Sequence, residues 1–215
     1  MEKLLNNNTL SEKLRVNMPA TGFTNRLKIR YRPYICPFNK LLALIPPNQK
    51  IFDIGCGSGM FLMLLAEYCQ PQALAGIEID EELIQNARHL LQQYPFPADL
   101  QVFNGFDLPP SIQTYDWVAM VDVLHHIPRA DQKNFFERLY QVMRPGASLL
   151  IKDIDAASPL VYFNKLHDWV FAGEIGNEWK ASALVQWLGE VGFQVKSLEK
   201  QNTYVYPHFT LIAER

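Results

Sequence analysis

Only three cysteines, Cys36, Cys56 and Cys69, occur in the 215 residues, and their number and spacing make neither a disulfide framework nor a metal site. They read as free thiols in a reducing compartment. No apolar run approaches the length of a membrane span, and residues 1 to 14 (MEKLLNNNTLSEKL) lack the continuous apolar core of a secretory leader. The expectation is a soluble, cytoplasmic protein with no membrane span. Charge of one sign is also scarce: the formal net charge is −2, too small for a field that gathers nucleic acid or anionic lipid. A small molecule is the expected partner, and nucleic acid is not. There is no His-Glu-x-x-His, and the adjacent His125 and His126 point differently, so no metal site is expected. Repeats and low-complexity linkers are missing as well. With 48% hydrophobic and 20% charged residues, a chain of this length can bury one full core.

What is present is a rhythm. From Lys50 onward, short apolar runs alternate with amphipathic stretches: KIFDI then MFLMLLAEYC, ALAGIEI then EELIQNARHLLQQY, LQVFN, YDWVAMV then DQKNFFERLYQVM, and ASLLIKD. This alternation predicts an α/β fold, a doubly wound and mostly parallel sheet with helices on both faces. Near the end, ALVQWLGEVG reads as a helix, and FQVKSLE and TYVYPHFTLIAE read as strands joined by a few residues, hence as an antiparallel pair. Pro207 in the last of these predicts an edge or a bulge, because proline interrupts a ladder. Residues 1–47 read as an N-terminal cover ending in a double proline, and 48–215 as the main domain. Residues 154–180, rich in aromatics, break the rhythm after ASLLIKD and read as a lid over the substrate.

The sharpest local feature is Asp53-Ile54-Gly55-Cys56-Gly57-Ser58-Gly59, which follows a strand and opens a helix. Glycines in that context let backbone N–H groups approach a ligand closely. A nicotinamide site asks for a third glycine at position 60, where Met60 stands, and a Walker loop asks for Lys and Ser/Thr that are missing. An acidic Asp53 would repel a pyrophosphate but suits an ammonium group or a positive sulfur. Glu78 closes the second strand roughly twenty residues past the loop, where a carboxylate can accept ribose hydroxyls. Ile79 then offers an apolar face to a base, while Asp80 caps the next helix.

These segments resemble, in order, the motifs of class I S-adenosylmethionine-dependent methyltransferases. FDIGCGSG resembles the first motif, GIEID the second, VFNGFDLP the third, YDWVAMVDVLHHIP the fourth and VMRPGASLLIKD the fifth, across about 50 to 153. The resemblance implies a Rossmann-like seven-stranded sheet whose last strand is antiparallel, S-adenosylmethionine as cofactor and S-adenosylhomocysteine as its product. Asp53, Gly55, Cys56, Gly57, Gly59 and Glu78 then become cofactor-binding candidates, with Ile79, Gly105 and Phe106 against the adenine. One departure is Asn104, which stands where the family often has an acidic residue for the adenine amino group. Its amide oxygen can accept, and Asp107 is the alternative.

Ligands of parallel sheets lie beyond the carboxyl ends of the strands, which selects Asp122, His125, His126, Asp153 and Asp155. Asp122 reads either as lining the methionine end of the cofactor or as a loop carboxylate held by backbone N–H groups. Methyl transfer mainly needs alignment, and a base helps only some nucleophiles. His126 or His125 is the natural base, or else a polar ring that orders the loop before Ile127-Pro128. His167, in the aromatic segment, is a further candidate. Asp153 and Asp155 read as substrate ligands or turn formers. The expected activity is methyl transfer to a small-molecule O, N or C nucleophile. The competing readings are an RNA or protein methyltransferase using Arg26, Lys28, Arg30 and Arg32, and a non-catalytic cofactor-binding protein.

Overall fold

A computed structural model describes residues 6–17, 31–162, 165 and 176–215. Seven strands, β1 Lys50–Ile54, β2 Ala73–Glu78, β3 Ala98–Val102, β4 Trp117–Val121, β5 Ser148–Ile154, β6 Gln194–Thr203 and β7 Tyr206–Glu214, form one sheet in the order β3-β2-β1-β4-β5-β7-β6. The pairs β1–β4, β2–β3 and β4–β5 are parallel, and β7 runs antiparallel to both β5 and β6. This is the Rossmann-like methyltransferase architecture that the alternating pattern and the motifs predict. All of WVAMV in β4 is buried, as is KIFDI apart from Lys50, the burial expected of strands covered on both faces.

Among the described residues, six α-helices have both bounds defined: α1 Asn7–Asn17, α2 Phe38–Leu44, α3 Met60–Tyr68, α4 Glu81–Leu91, α5 Arg129–Val142 and α6 Ala181–Val191. The chain divides into two compact units, Met1–Lys50 with Cys56–Phe103, and Ile51–Gly55 with Asn104–Arg215.

In the first unit, α3 buries every residue from Phe61 to Ala66, so it is apolar all round and sits in the core. Helix α4 starts where its sequence says it should: Asp80 accepts from the N–H groups of Glu82 and Leu83 at 2.8 and 3.3 Å, and Glu81 and Glu82 face the positive helix end. Helix α1 buries Leu10 and Leu14, and its Lys13 pairs with Glu67 near the C-terminal end of α3. That is the end remote from the glycine turn.

In the second unit, an aromatic series runs from Phe135 through Phe136 and Trp187 to Trp179, with ring centroids 5.8, 5.8 and 5.1 Å apart. It joins α5 to α6. The β6–β7 link is two residues long, Tyr204-Val205, as the antiparallel reading requires. Pro207 corrects one expectation, because β7 is an interior strand between β5 and β6. The proline is tolerated because the β5–β7 ladder ends at the Ile154–His208 pair, one residue short of it. Its carbonyl still accepts from the Asp155 N–H at 2.7 Å. Among the described residues no helix is long and apolar enough to cross a membrane.

Candidate functional site

The first unit carries the glycine turn from Cys56 to Gly59. Gly57 and Gly59 have φ of +53° and +80°, a region closed to most side-chain-bearing residues. They are bare for different reasons. A Cβ on Gly59 would stand 2.9 Å from that of Ala87 on α4, so this glycine lets two helices touch. A Cβ on Gly57 would meet nothing within 4 Å. Gly57 therefore bounds open space, and protein packing does not explain why the position is bare.

Glu78, at the tip of β2, is tied to that turn. Its Oε2 accepts from the Gly57 N–H at 3.0 Å, and its Oε1 accepts from the N–H groups of Ile79 and Asp80 at 2.8 and 3.3 Å. Three of a carboxylate's roughly four lone-pair directions are thus used. One remains for a ligand hydroxyl, and the long Asp80 bond is the weakest of the three. Ile79 is 68% exposed beside this group, although a strand tip offers no internal reason for an apolar side chain to stay in water.

The second unit carries Asp53, Gly55, the 104–107 loop and the ends of β4 and β5. Asp53 is 2% exposed and sits opposite Ala119 in the β1–β4 register, where the strand order reverses. Gly55 has φ +73°, and a Cβ there would lie 2.4 Å from Cγ2 of Val123. Asn104 accepts the N–H groups of Phe106 and Asp107 at 2.9 and 2.8 Å and donates its amide to Asp107 at 2.9 Å. This is an Asx turn. It commits the amide oxygen locally, with Gly105 at φ +86° and Phe106 64% exposed.

Asp122 follows β4 at φ +57°, unusual for a residue other than glycine. Its carboxylate pairs with Lys152 of β5, whose side chain is 1% exposed, and its N–H donates to the Lys152 carbonyl at 2.8 Å. The sequence reading passed over Lys152. Its signal was a lysine inside the apolar run of a strand buried on both faces.

The two histidines differ sharply. His125 is buried, with Nδ1 2.6 Å from Asp153 Oδ1, and its N–H lies 3.3 Å from Oδ2. A carboxylate can only accept, so Nδ1 carries the proton and Nε2 is the basic nitrogen of the neutral ring. The His125 carbonyl accepts from the Asn177 N–H at 2.7 Å, which fastens residues 176–180 to this loop. His126 is exposed, its ring centroid 4.1 Å from that of His125.

Asp155 accepts from the N–H groups of Ala157 and Ala181 at 3.0 and 3.1 Å and pairs with Lys200 at 2.7 Å. It thereby forms a turn and caps the first residue of α6. Burial pushes its pKa up, but the Lys200 hydrogen bond, the two N–H groups and the Lys200 charge outweigh this and hold the carboxyl below its ordinary value. His167, Arg26, Lys28, Arg30, Trp169 and Phe171 lie outside the described residues. No group of three His, Cys, Asp or Glu among the described residues is placed to hold a metal ion. The three cysteines are buried free thiols.

Comparison with known proteins bears on both units. Residues 27–198 match the family model described as a methyltransferase domain. A tRNA U34 carboxymethyltransferase of Idiomarina loihiensis is 27% identical over 166 residues, 73% of this chain and 49% of its own. A demethylmenaquinone methyltransferase of Symbiobacterium thermophilum is 26% identical over 128 residues, 58% of this chain and 49% of its own. The chain thus spans about half the length of these curated relatives. The magnesium protoporphyrin IX methyltransferase of Synechocystis, solved with bound S-adenosylhomocysteine, superposes with a TM-score of 0.69 at 20% identity, covering 95% of this chain and 93% of that one. At that identity the likeness is one of fold. The match to the family model covers most of the chain and coincides with the ordered motifs, and the chain belongs to the S-adenosylmethionine-dependent methyltransferase domain family.

Proposed function

We propose that the protein uses S-adenosylmethionine to methylate an oxygen, nitrogen or carbon nucleophile on a small molecule. The observation that carries this is the Gly57–Glu78 hydrogen bond, a carboxylate held beside an open, side-chain-free turn by that turn's own N–H. Such a carboxylate suits ribose hydroxyls, and the turn leaves room for the chain that leads away from the sugar. Asp53, Gly55, Cys56, Gly57, Gly59 and Asp122 would hold the amino acid half, and Glu78 the ribose. Ile79, Gly105 and Phe106 would flank the adenine, with Asn104 or Asp107 toward its amino group. Because Asn104 spends its amide oxygen on two backbone donors, Asp107 is the better acceptor of the two. When bound, the cofactor supplies a methyl group activated by a positive sulfur.

The base we assign is His126. It is exposed and rests against His125, which Asp153 locks in place. His125 then positions its neighbour; residues 163–164 and 166–175 of the stretch read as a lid lie outside the described residues. The weak net charge favours a small acceptor over a polyanion, and the setting we infer is cytoplasmic. An RNA acceptor is the second reading, favoured by the name of the Idiomarina relative. The cofactor assignment is tested by calorimetric titration with S-adenosylhomocysteine: binding by the wild type, much weakened in Glu78→Ala, is expected, and silence from the wild type defeats it. RNA binding that falls steeply with salt would favour the second acceptor class.

A further inference from the structure

Lys152 lies in the fifth motif but has no role assigned to it there, yet it is among the largest fully buried side chains described, and it is a cation. Burying an ammonium costs several kcal/mol unless it is well paired, and a buried pair is weak grounds for stability alone. Its partner is also unusual. Asp122 holds a left-handed backbone conformation, a strain that persists where the surroundings enforce it. Lys152 enforces it twice, accepting the Asp122 N–H at its carbonyl and pairing with the Asp122 carboxylate through Nζ. The consequence appears one residue later. Val123 is brought down onto the bare Cα of Gly55, so tightly that no Cβ fits between them. The strand that supplies Lys152 therefore sets the carboxylate of Asp122 and, through Val123, the close packing on Gly55.

Charge points the same way. Asp53 and Asp122 are acidic groups at the carboxyl ends of the adjacent strands β1 and β4, and Lys152 adds one positive charge to them. Lys152 thus offsets one of the two acids that a ligand ammonium would approach.

We propose that Lys152 is a positioning residue for the amino acid half of the cofactor, acting through Asp122, which it holds in the conformation that receives the ligand ammonium. This rests on the cofactor reading above. It predicts selectivity within one ligand: S-adenosylhomocysteine carries the amino acid half, whereas 5′-methylthioadenosine shares the sugar and base and lacks it.

The test is calorimetric titration of both ligands into wild type, K152M and D122N. In K152M the affinity for S-adenosylhomocysteine should fall about tenfold or more, the loss of one charge-assisted contact. The affinity for 5′-methylthioadenosine should stay within about twofold. D122N should show the same selective loss, and the double variant should be no worse than either single one, because the two residues act as a unit. Equal weakening of both ligands would mean a merely structural role and overturns the proposal, as does no change in either. If K152M fails to fold by circular dichroism, D122N is read alone by the same criteria. A wild type that binds neither ligand defeats the cofactor reading itself, an outcome distinct from a wild type that binds both while K152M binds both equally well.

Discussion

Glu78 and Gly57 are joined by a 3.0 Å hydrogen bond that crosses from the tip of β2 to the middle of the glycine turn. The acid is therefore part of the turn's own structure before any ligand arrives. Glu78→Ala removes both the ligand acceptor and the partner of Gly57, and a hydrogen bond to a charged group is worth about 1.5–3 kcal/mol. Affinity for S-adenosylhomocysteine should drop roughly tenfold to hundredfold. Glu78→Gln keeps one oxygen acceptor and should fall between wild type and alanine. A glutamine variant weaker than alanine would show that the carboxylate is not the group that matters.

Gly55 and Gly57 separate packing from ligand access. Alanine at Gly55 meets Val123 at 2.4 Å in a left-handed backbone, and overpacking with strain costs about 1–3 kcal/mol. Thermal unfolding should shift down by several degrees, at roughly 2–4 °C per kcal/mol for a domain of this size. Alanine at Gly57 meets no protein atom, so its cost is the left-handed backbone alone, about 1–2 kcal/mol. Its cofactor binding should suffer more than its stability. Equal melting shifts with equal binding losses would mean that the turn is only a structural bend.

How much of this was legible in the sequence follows from what each feature depends on. Asp80 was readable as a cap because capping is local, needing only an acid just before an amphipathic run. The Tyr204-Val205 link was readable because a link too short for a crossover fixes the strand direction. Pro207 misled, since an edge and the end of a ladder look alike until the neighbouring strand's length is known. Lys152 went unassigned, and Asp153 read as a substrate ligand or turn former, because their partners, Asp122 and His125, lie 30 and 28 residues away, and only the β4–β5 register brings them together. The commitment of Asn104 was hidden for another reason: the Asx turn uses the same amide oxygen that the sequence offered to an adenine amino group.

Asp153 should prove essential to the loop that carries the histidines. Its removal would take away the acceptor of the buried His125 Nδ1–H and of the His125 and Ile154 N–H groups, and each buried donor left unsatisfied costs about 1–3 kcal/mol. Asp153→Ala should therefore unfold at clearly lower denaturant. His126→Ala, at an exposed ring, should keep its unfolding midpoint within about 0.5 kcal/mol of wild type and lose only turnover. Matching midpoints for the two variants would contradict the division between an anchoring and an acting histidine.

Asp155 gives a pH signature. In the folded protein Lys200 and the Ala157 and Ala181 N–H groups hold its carboxyl below the ordinary 3.8, whereas the unfolded chain keeps the ordinary value. As pH falls the unfolded state takes up this proton first, so the contribution is complete above about pH 5 and is lost through the range below the ordinary value. Asp155→Asn keeps an oxygen for the cap but loses the charge. Its melting temperature should therefore lie below wild type at about pH 6, and the gap should close as the buffer approaches about pH 3. A gap that stays constant over that range would mean that Asp155 stabilises the start of α6 by shape and hydrogen bonding alone, with no net contribution from the Lys200 pair.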